Sequence, residues 1–361
     1  MPLAPTSEKA VSFPLDPETP PMEAHQTDAL PDGRCWQFEP KWDGFRCLVF
    51  RSSNLIEMRA KSGKSLARFF PEVVAMLNSL KAREFVLDGE LVVNVDGASN
   101  FDFLQMRLHP AASRIARLAK ETPATLILFD YLAGPAGSWL DAPLSERRRE
   151  LEAFYNLNAH SHLKLSPFTL SRATALGWLD ASGGAIDGVV AKRLDRPYRP
   201  GQRSMIKVKR LRTADCVVGG FRYLERERLA GSLLLGLYNR KGELDHVGFT
   251  SAISASHRAA LTKELEQLVE PPGFTGKAPG GPSRWTTEKS TEWVPLRPVL
   301  VAEVQYDHVS GCRFRHGTKF LRWRPDKAPH QCTLEQLSSA GPASADLLGR
   351  EVNSRPSSAR R

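Results

Sequence analysis

The sequence predicts an α+β protein of two domains: a mixed, largely antiparallel domain, followed by a small Greek-key β-barrel of the OB type. Three observations carry this. The chain has 361 residues, too many for one typical domain and a good fit to two. Up to Arg210, β-rich apolar segments separated by tight turns outnumber the stretches with helical spacing. Beyond that point several short strands surround one inserted helix, as in small OB barrels.

Each element follows in order. Residues 1–33 are rich in proline and in acidic or small residues, and read as an extended arm. From Arg34, RCWQFEP, DGFRCLVFR and LIEMRA read as strands joined by tight turns. FFPEVVAMLNSL (69–80) has a proline near its start and apolar residues at helical spacing, which predicts a short amphipathic helix. FVLDGELVV (85–93) and TLILFDYLA (125–133) have the apolar character of buried strands, and PLSERRRELEAFYNL (143–157) reads as a surface helix. IDGVVAKRL (186–194) and SMIKVKR (204–210) supply two more strands. RLRTADC (210–216) reads as a hinge, which places the first domain at 34–211 and the second at 212–330. In the second, CVVGGF leads into the hairpin GSLLLGLYNRKGELDHVGF with Lys-Gly at its turn, and SASHRAALTKELEQLV reads as a serine-capped helix. VLVAEVQYDHV and KFLRWR close the set, and residues 331–361, rich in Ser, Ala, Pro and Arg, are expected to be disordered.

Composition narrows the class. The five cysteines, Cys35, Cys47, Cys216, Cys312 and Cys332, are odd in number and never form a C-x-x-C pair. This argues against a disulfide framework or a zinc knuckle and for a reducing cytoplasm. No apolar run reaches membrane-spanning length, and the first residues lack the charged head and apolar core of a secretory signal. The net charge of +10 fits a polyanionic partner equally as well as a merely basic surface.

Chemistry concentrates in short segments. SGKS (62–65) resembles a phosphate-binding loop but has Met58 where the leading glycine belongs, so it reads as a polar turn. EPKWDGFRCLVF (39–50) sets Lys41 between Pro40 and Trp42, before an Asp-Gly turn that returns Arg46 toward the same side. A lysine is a nucleophile only as the neutral amine, which desolvation or neighbouring cations favour. Taken alone, a lysine at a β-turn is the commoner explanation. Other segments weaken it. LDGE puts Glu90 inside an apolar strand, where a carboxylate needs a partner. LILFDYL offers the face of Phe129, which fits a base or an ordinary core. IDGVVAKR carries Asp187 and Lys192 near the ends of an apolar strand. MIKVK sends Lys207 and Lys209 from one face, an arrangement that calls for an intervening anion. RWRPDK (322–327) gathers Arg324, Asp326 and Lys327.

In order and spacing these six segments resemble the nucleotidyltransferase motifs of ATP-dependent DNA ligases, most of all the compact bacterial ligase C type and the ligase domain of ligase D. The likeness runs over roughly residues 20–330. It implies an adenylation domain followed by an OB-fold domain, ATP as co-substrate, Mg²⁺ or Mn²⁺, and duplex DNA with nicks or ends as substrate. It implies that Lys41 accepts AMP, Glu39 lies beside adenine, Arg46 and Glu90 near ribose, and Phe129 on the base. Lys192 would join the nucleotide-binding set. Asp187, with Glu90, would serve a metal ion. Lys207 and Lys209 would hold the α-phosphate and help keep Lys41 neutral. Arg324, Asp326 and Lys327 would orient the leaving pyrophosphate. Lys61 stands where many ligases have arginine, Asp187 where glutamate is usual, and Met205 where an aromatic is common. The large DNA-encircling domain of larger ligases is not expected before the adenylation domain, which would leave grip on DNA to the two domains and the tails. The expected setting is DNA repair, recombination or replication by a monomeric enzyme in the cytoplasm, at the nucleoid. Recruitment by Ku-like proteins has no signal in the sequence. The rivals are an RNA ligase, a GTP-using capping-type transferase, and a non-catalytic relative that only binds duplex DNA.

Overall fold

A computed structural model describes residues 13–95, 98–182, 186–251, 253–280 and 292–337. The described chain forms two compact units that divide between Lys209 and Arg210.

The first unit contains β1 (Ala24–Gln26), β2 (Trp36–Trp42), β3 (Phe45–Ser52), β4 (Leu55–Ala60), α1 (Pro71–Ser79), β5 (Glu84–Val95), β6 (Ala98–Ser99), α2 (Phe101–Arg107) and α3 (Ala112–Glu121). It continues through β7 (Ala124–Gly134), β8 (Gly137–Ser138), α4 (Leu144–Leu157), β9 (Leu163–Leu165), α5 (Arg172–Asp180), β10 (Ile186–Arg193) and β11 (Met205–Val208). Two sheets result, one ordered β1-β11-β10-β2, the other β4-β3-β5-β7-β8 with β6 on β5 and β9 on β7. Only β1–β11 and β7–β9 are parallel pairs in these two sheets.

Strand alternation determines what each face of the large sheet meets. Leu87, Leu91, Leu126 and Leu128 pack with α1 residues Val73 and Leu77 and α4 residues Leu151 and Phe154. Their neighbours Val92 and Ile127 face the other way, onto Phe38, Trp42, Ile186 and Val189 of the small sheet. The even-numbered side of β5 therefore turns Glu90 and Asp88 toward the region between the sheets. Two glycines permit the close approach there. The Asp43-Gly44 turn carries the chain from β2 into β3, and a Cβ on Gly44 would collide with the Leu91 carbonyl oxygen. Gly188 has φ 142° and a Cβ on it would strike the Val208 carbonyl oxygen of β11. The register of β10 against β2 also shifts between Ile186 and Val189, a bulge that re-aims Asp187.

The second unit comprises β12 (Arg212–Leu224), β13 (Glu227–Tyr238), β14 (Leu244–Thr250), α6 (Arg258–Glu266), β15 (Val294–Pro295), β16 (Val301–Tyr306), β17 (Val309–Ser310), β18 (Arg313–Phe314) and β19 (Lys319–Trp323). Its sheet runs β14-β13-β12-β16-β19. The two edges meet where Thr318 N donates to Phe249 O at 3.0 Å and Thr250 Oγ1 donates to Thr318 O at 2.8 Å, closing the sheet toward a barrel. Leu233, Leu235, Val217, Val304 and Phe221 fill the interior.

Several expectations need correction. The arm is packed structure over its described part: β1 pairs with β11, and Met22 and Leu30 are buried. Both stand beside prolines, yet Leu30 packs with Phe38 and Trp42 of the small sheet and Met22 with Leu48, Phe50 and Met205, which the composition concealed. Residues 331–337 belong to the second unit, with Cys332 and Leu337 buried; residues 1–12 and 338–361 lie outside the described part. α6 has His257 at its N-cap and no side-chain capping bond, so the serine cap is absent. α2, α3 and α5 went unread, although Asn100 caps α2 by accepting from the Asp102 and Phe103 amides. Among the described residues no helix is long and apolar enough to cross a membrane.

Because backbone occupies the space a methyl group would need, Gly44→Ala is expected to cost about 3 kcal/mol of stability, read as a lower urea midpoint at unchanged m-value.

Candidate active site

The end of β2 explains the lysine between a proline and a tryptophan. β2 is the edge of the small sheet, where a proline removes no required ladder bond. Trp42 is buried and its Nε1 donates to Ser166 Oγ at 2.9 Å, which pins the backbone on one side of Lys41. The Lys41 side chain is left about one quarter exposed, at a cleft of about 230 Å³. Glu39, Arg46, Lys61, Glu90, Phe129, Lys192 and Lys207 line the same cleft.

Lys41 Nζ donates to Asp187 Oδ2 at 2.9 Å, and Lys209 Nζ reaches the same oxygen at 2.9 Å. Burial alone would raise the Asp187 carboxyl, but the two ammonium groups hold it below its ordinary value. Lys209, one of the two cations expected to keep Lys41 neutral, thus shares a carboxylate with it. It is Lys207 that feels the neighbouring cations most: burial first, then Lys41, Lys209 and Lys61, push it below the usual lysine range against the pull of Asp187. The bulge at Gly188 places Asp187 between the lysines, a detail that spacing alone does not convey.

The remaining cations of the cleft also come with carboxylates. Arg46 donates through Nε and Nη2 to both oxygens of buried Asp88, each at 2.5 Å, and its guanidinium carbon lies 4.6 Å from the centre of the Phe129 ring. Tyr198 OH donates to Asp88 at 2.6 Å and accepts from the Met22 amide at 2.8 Å. Glu39 is buried and accepts from Gln37 Nε2 at 2.8 Å and Lys192 Nζ at 3.0 Å. Lys192 also donates to Phe129 O and stands 4.6 Å from that ring. Lys61 pairs with Glu23 at 2.9 Å. Burial pushes the Glu90 carboxyl up to about 7, reinforced by Asp43 and Asp88 and opposed by Arg46 and Lys41.

Arg324, Asp326 and Lys327 lie in the second unit. There Arg324 Nε and Nη2 donate to Asp326 at 2.9 and 2.7 Å, while Arg324 and Lys327 both pair with Asp215. Among the described residues no three His, Cys, Asp or Glu side chains converge as a ready-made metal cage. Mg²⁺ commonly rests on one or two carboxylates plus the phosphates of its substrate, so a single carboxylate beside Lys41 fits such an ion.

Sequence reasoning missed Gln37, Asp88, Tyr198 and Asp215. Asp88 had a readable signal: it stands two residues before Glu90 in one strand, so both acids leave the same face. Gln37 stands likewise two residues before Glu39 in β2, whereas Tyr198 and Asp215 meet their partners from distant segments and carry no local pattern.

Residues 21–209 match the family described as the ATP dependent DNA ligase domain, and residues 226–327 match the ATP dependent DNA ligase C terminal region. The chain is 43% identical over 350 residues to DNA ligase C1 of Mycolicibacterium smegmatis, covering 93% of this chain and 98% of that protein. It is 30% identical over 333 residues to the multifunctional non-homologous end joining DNA repair protein LigD of Mycobacterium tuberculosis, covering 90% of this chain but 40% of that longer protein. A solved Lig E DNA ligase superposes with a TM-score of 0.52 at 17% identity, covering 84% of this chain and all (100%) of that one, a likeness of fold.

The raised Glu90 carboxyl has a consequence for stability. Its folded value, about 7, exceeds the ordinary 4.5, so between these the folded state holds the proton more tightly. This stabilisation is complete below the lower value and is lost as pH rises through the upper one. Glu90→Gln is expected to flatten that part of the stability-versus-pH curve, checked by urea midpoints on both sides of the window.

Proposed function

Because the chain belongs to the ATP-dependent DNA ligase family, we propose that it seals nicked duplex DNA by passing AMP from ATP through Lys41 to the DNA. The observation that carries this reading is the meeting of Lys41, Asp187 and Lys209 at a cleft also lined by Glu39, Glu90 and Phe129. Glu39, held by Gln37 and Lys192, addresses the adenine edge, and Phe129 its face. Arg46 and Glu90 serve the ribose, and Glu90 stands with Asp187 as a carboxylate that would serve a metal ion. Lys207 and Lys209 take the α-phosphate, and Lys61 a neighbouring phosphate oxygen. Arg324, Asp326 and Lys327 serve the departing pyrophosphate.

In the first step the Lys41 ammonium gives one proton to solvent, and the lone pair of the resulting neutral amine forms a P–N bond to the α-phosphorus. The bond from that phosphorus to the bridging oxygen breaks, pyrophosphate leaves with the electron pair, and the amine proton passes to solvent. Lys41 must first exchange Asp187 for the nucleotide, which the arriving phosphates promote by giving Lys207 and Lys209 new partners. Asp187 would hold Mg²⁺ or Mn²⁺ together with the phosphates, and such an ion supplies charge neutralisation on the phosphoryl oxygens. A 5′-phosphate oxygen at the nick then attacks the same phosphorus, the P–N bond breaks, and Lys41 regains its proton. Finally the 3′-hydroxyl attacks the 5′-phosphorus and AMP departs with the electrons of the broken bond. The net charge of +10 suits a duplex backbone read through its phosphates. Similarity to the end-joining repair protein supports a role in DNA repair.

With ATP, the protein is expected to join a 5′-labelled nick, and GTP is expected to fail. Lys41→Ala should not join that nick with ATP but should still close one already carrying a 5′-adenylate. Label accepted from GTP alone would overturn the reading. Lys207→Ala is expected to slow adenylate formation about 100-fold or more, measured in a single turnover.

A further inference from the structure

The cations at the end of β19 are held by a carboxylate that no motif includes. Asp215 is the fourth residue of β12 and is buried. Its Oδ1 accepts from Arg324 Nη1 at 2.8 Å, and its Oδ2 lies 3.1 Å from Lys327 Nζ. Arg324 gives Nε and Nη2 to Asp326 at 2.9 and 2.7 Å. Two carboxylates thus hold the guanidinium, fixing its plane and heading. Each terminal nitrogen keeps one further N–H. Lys327 likewise keeps ammonium donors beyond the one facing Asp215.

Asp215 itself is fixed in place. Its amide donates to Gln336 Oε1 at 3.0 Å and its carbonyl accepts from Gln336 Nε2 at 3.1 Å. Across the ladder it stands opposite Glu303 of β16, which accepts from Arg322 at 2.6 Å. A structural ion pair needs one cation; here one buried carboxylate sets the separation of two and leaves donors on both unused. Such preorganisation counts where charge develops on a departing group.

We propose that Asp215 is a positioning residue for the transfer of AMP to Lys41: its carboxylate aligns Arg324 and Lys327 so that their remaining donors receive the leaving pyrophosphate. This rests on the reading that those two cations serve pyrophosphate. Only the first of the three steps releases pyrophosphate, so a defect should be confined to that step and its reversal.

The test uses the full chain with Asp215→Asn, which keeps the backbone bonds to Gln336 but removes the charge. With labelled ATP and Mg²⁺, the single-turnover rate of adenylate formation should fall about 10- to 100-fold. Discharge of the adenylate by inorganic pyrophosphate should need correspondingly more pyrophosphate. Closure of a nick already carrying a 5′-adenylate should stay within about twofold of the parent, which also reports an intact fold. Should the asparagine variant not fold, Asp215→Glu, which keeps the charge but displaces it, is expected to give the same split between steps. Unchanged or faster adenylate formation, or equal loss of both activities in a folded variant, overturns the proposal. Arg324→Ala separates the two levels: if it too leaves adenylate formation unchanged, the pyrophosphate reading itself fails.

Discussion

Asp187 stands between two lysines that arrive on different strands, and much of the first unit exists to make that meeting possible. Lys41 is the penultimate residue of β2, Asp187 sits on the bulge of β10, and Lys209 follows β11. Without the carboxylate the two ammonium groups would repel; with it they can be held at a cleft before any nucleotide arrives. Backbone spacing enforces the arrangement. Gly188 lets β10 pass against the Val208 carbonyl, and Gly44 lets the β2–β3 turn lie against β5, which presents Glu90. A side chain at either position would move a strand, and the lysines with it.

The same logic repeats around the cleft. Arg46 rests on Asp88, Lys192 on Glu39 and Lys61 on Glu23. In the second unit Arg324 and Lys327 rest on Asp215. Within each unit these cations are thus held by carboxylates. Buried cations without partners would be costly, and removing one member of such a pair leaves the other charge stranded. On the proposed reading, nucleotide binding would exchange carboxylate for phosphate at Lys41 and Lys209, while Arg46 would keep its bidentate acid as a brace.

Much of this was legible in the chain. Apolar runs marked the buried strands, and Glu90 lay in a segment that already demanded a partner, while Lys41 and Phe129 stood out through the order and spacing of the six segments. The pairing of Lys207 with Lys209 could not be read in full: Lys207 lines the cleft, while Lys209 engages Asp187. What stayed hidden depended on distance along the chain. Tyr198 reaches Asp88 across 110 positions, and Gln336 reaches Asp215 across 121. No local pattern marks such partners. The packed arm was hidden for a related reason, since β1 is three residues long and is specified by the neighbour it joins, β11. The carboxylate beside Lys41 was read as a metal residue; its second role, separating the lysines, follows from a bulge that spacing cannot show.

The central claim is that the Lys41 amine is the group that carries AMP. Mass spectrometry of peptides from the purified protein, after incubation with ATP and Mg²⁺, addresses it directly. The account predicts one adenylate on the peptide containing Lys41, removed when pyrophosphate is added. An adenylate on any other residue, or an unmodified Lys41 in protein that seals nicks with ATP, would contradict it.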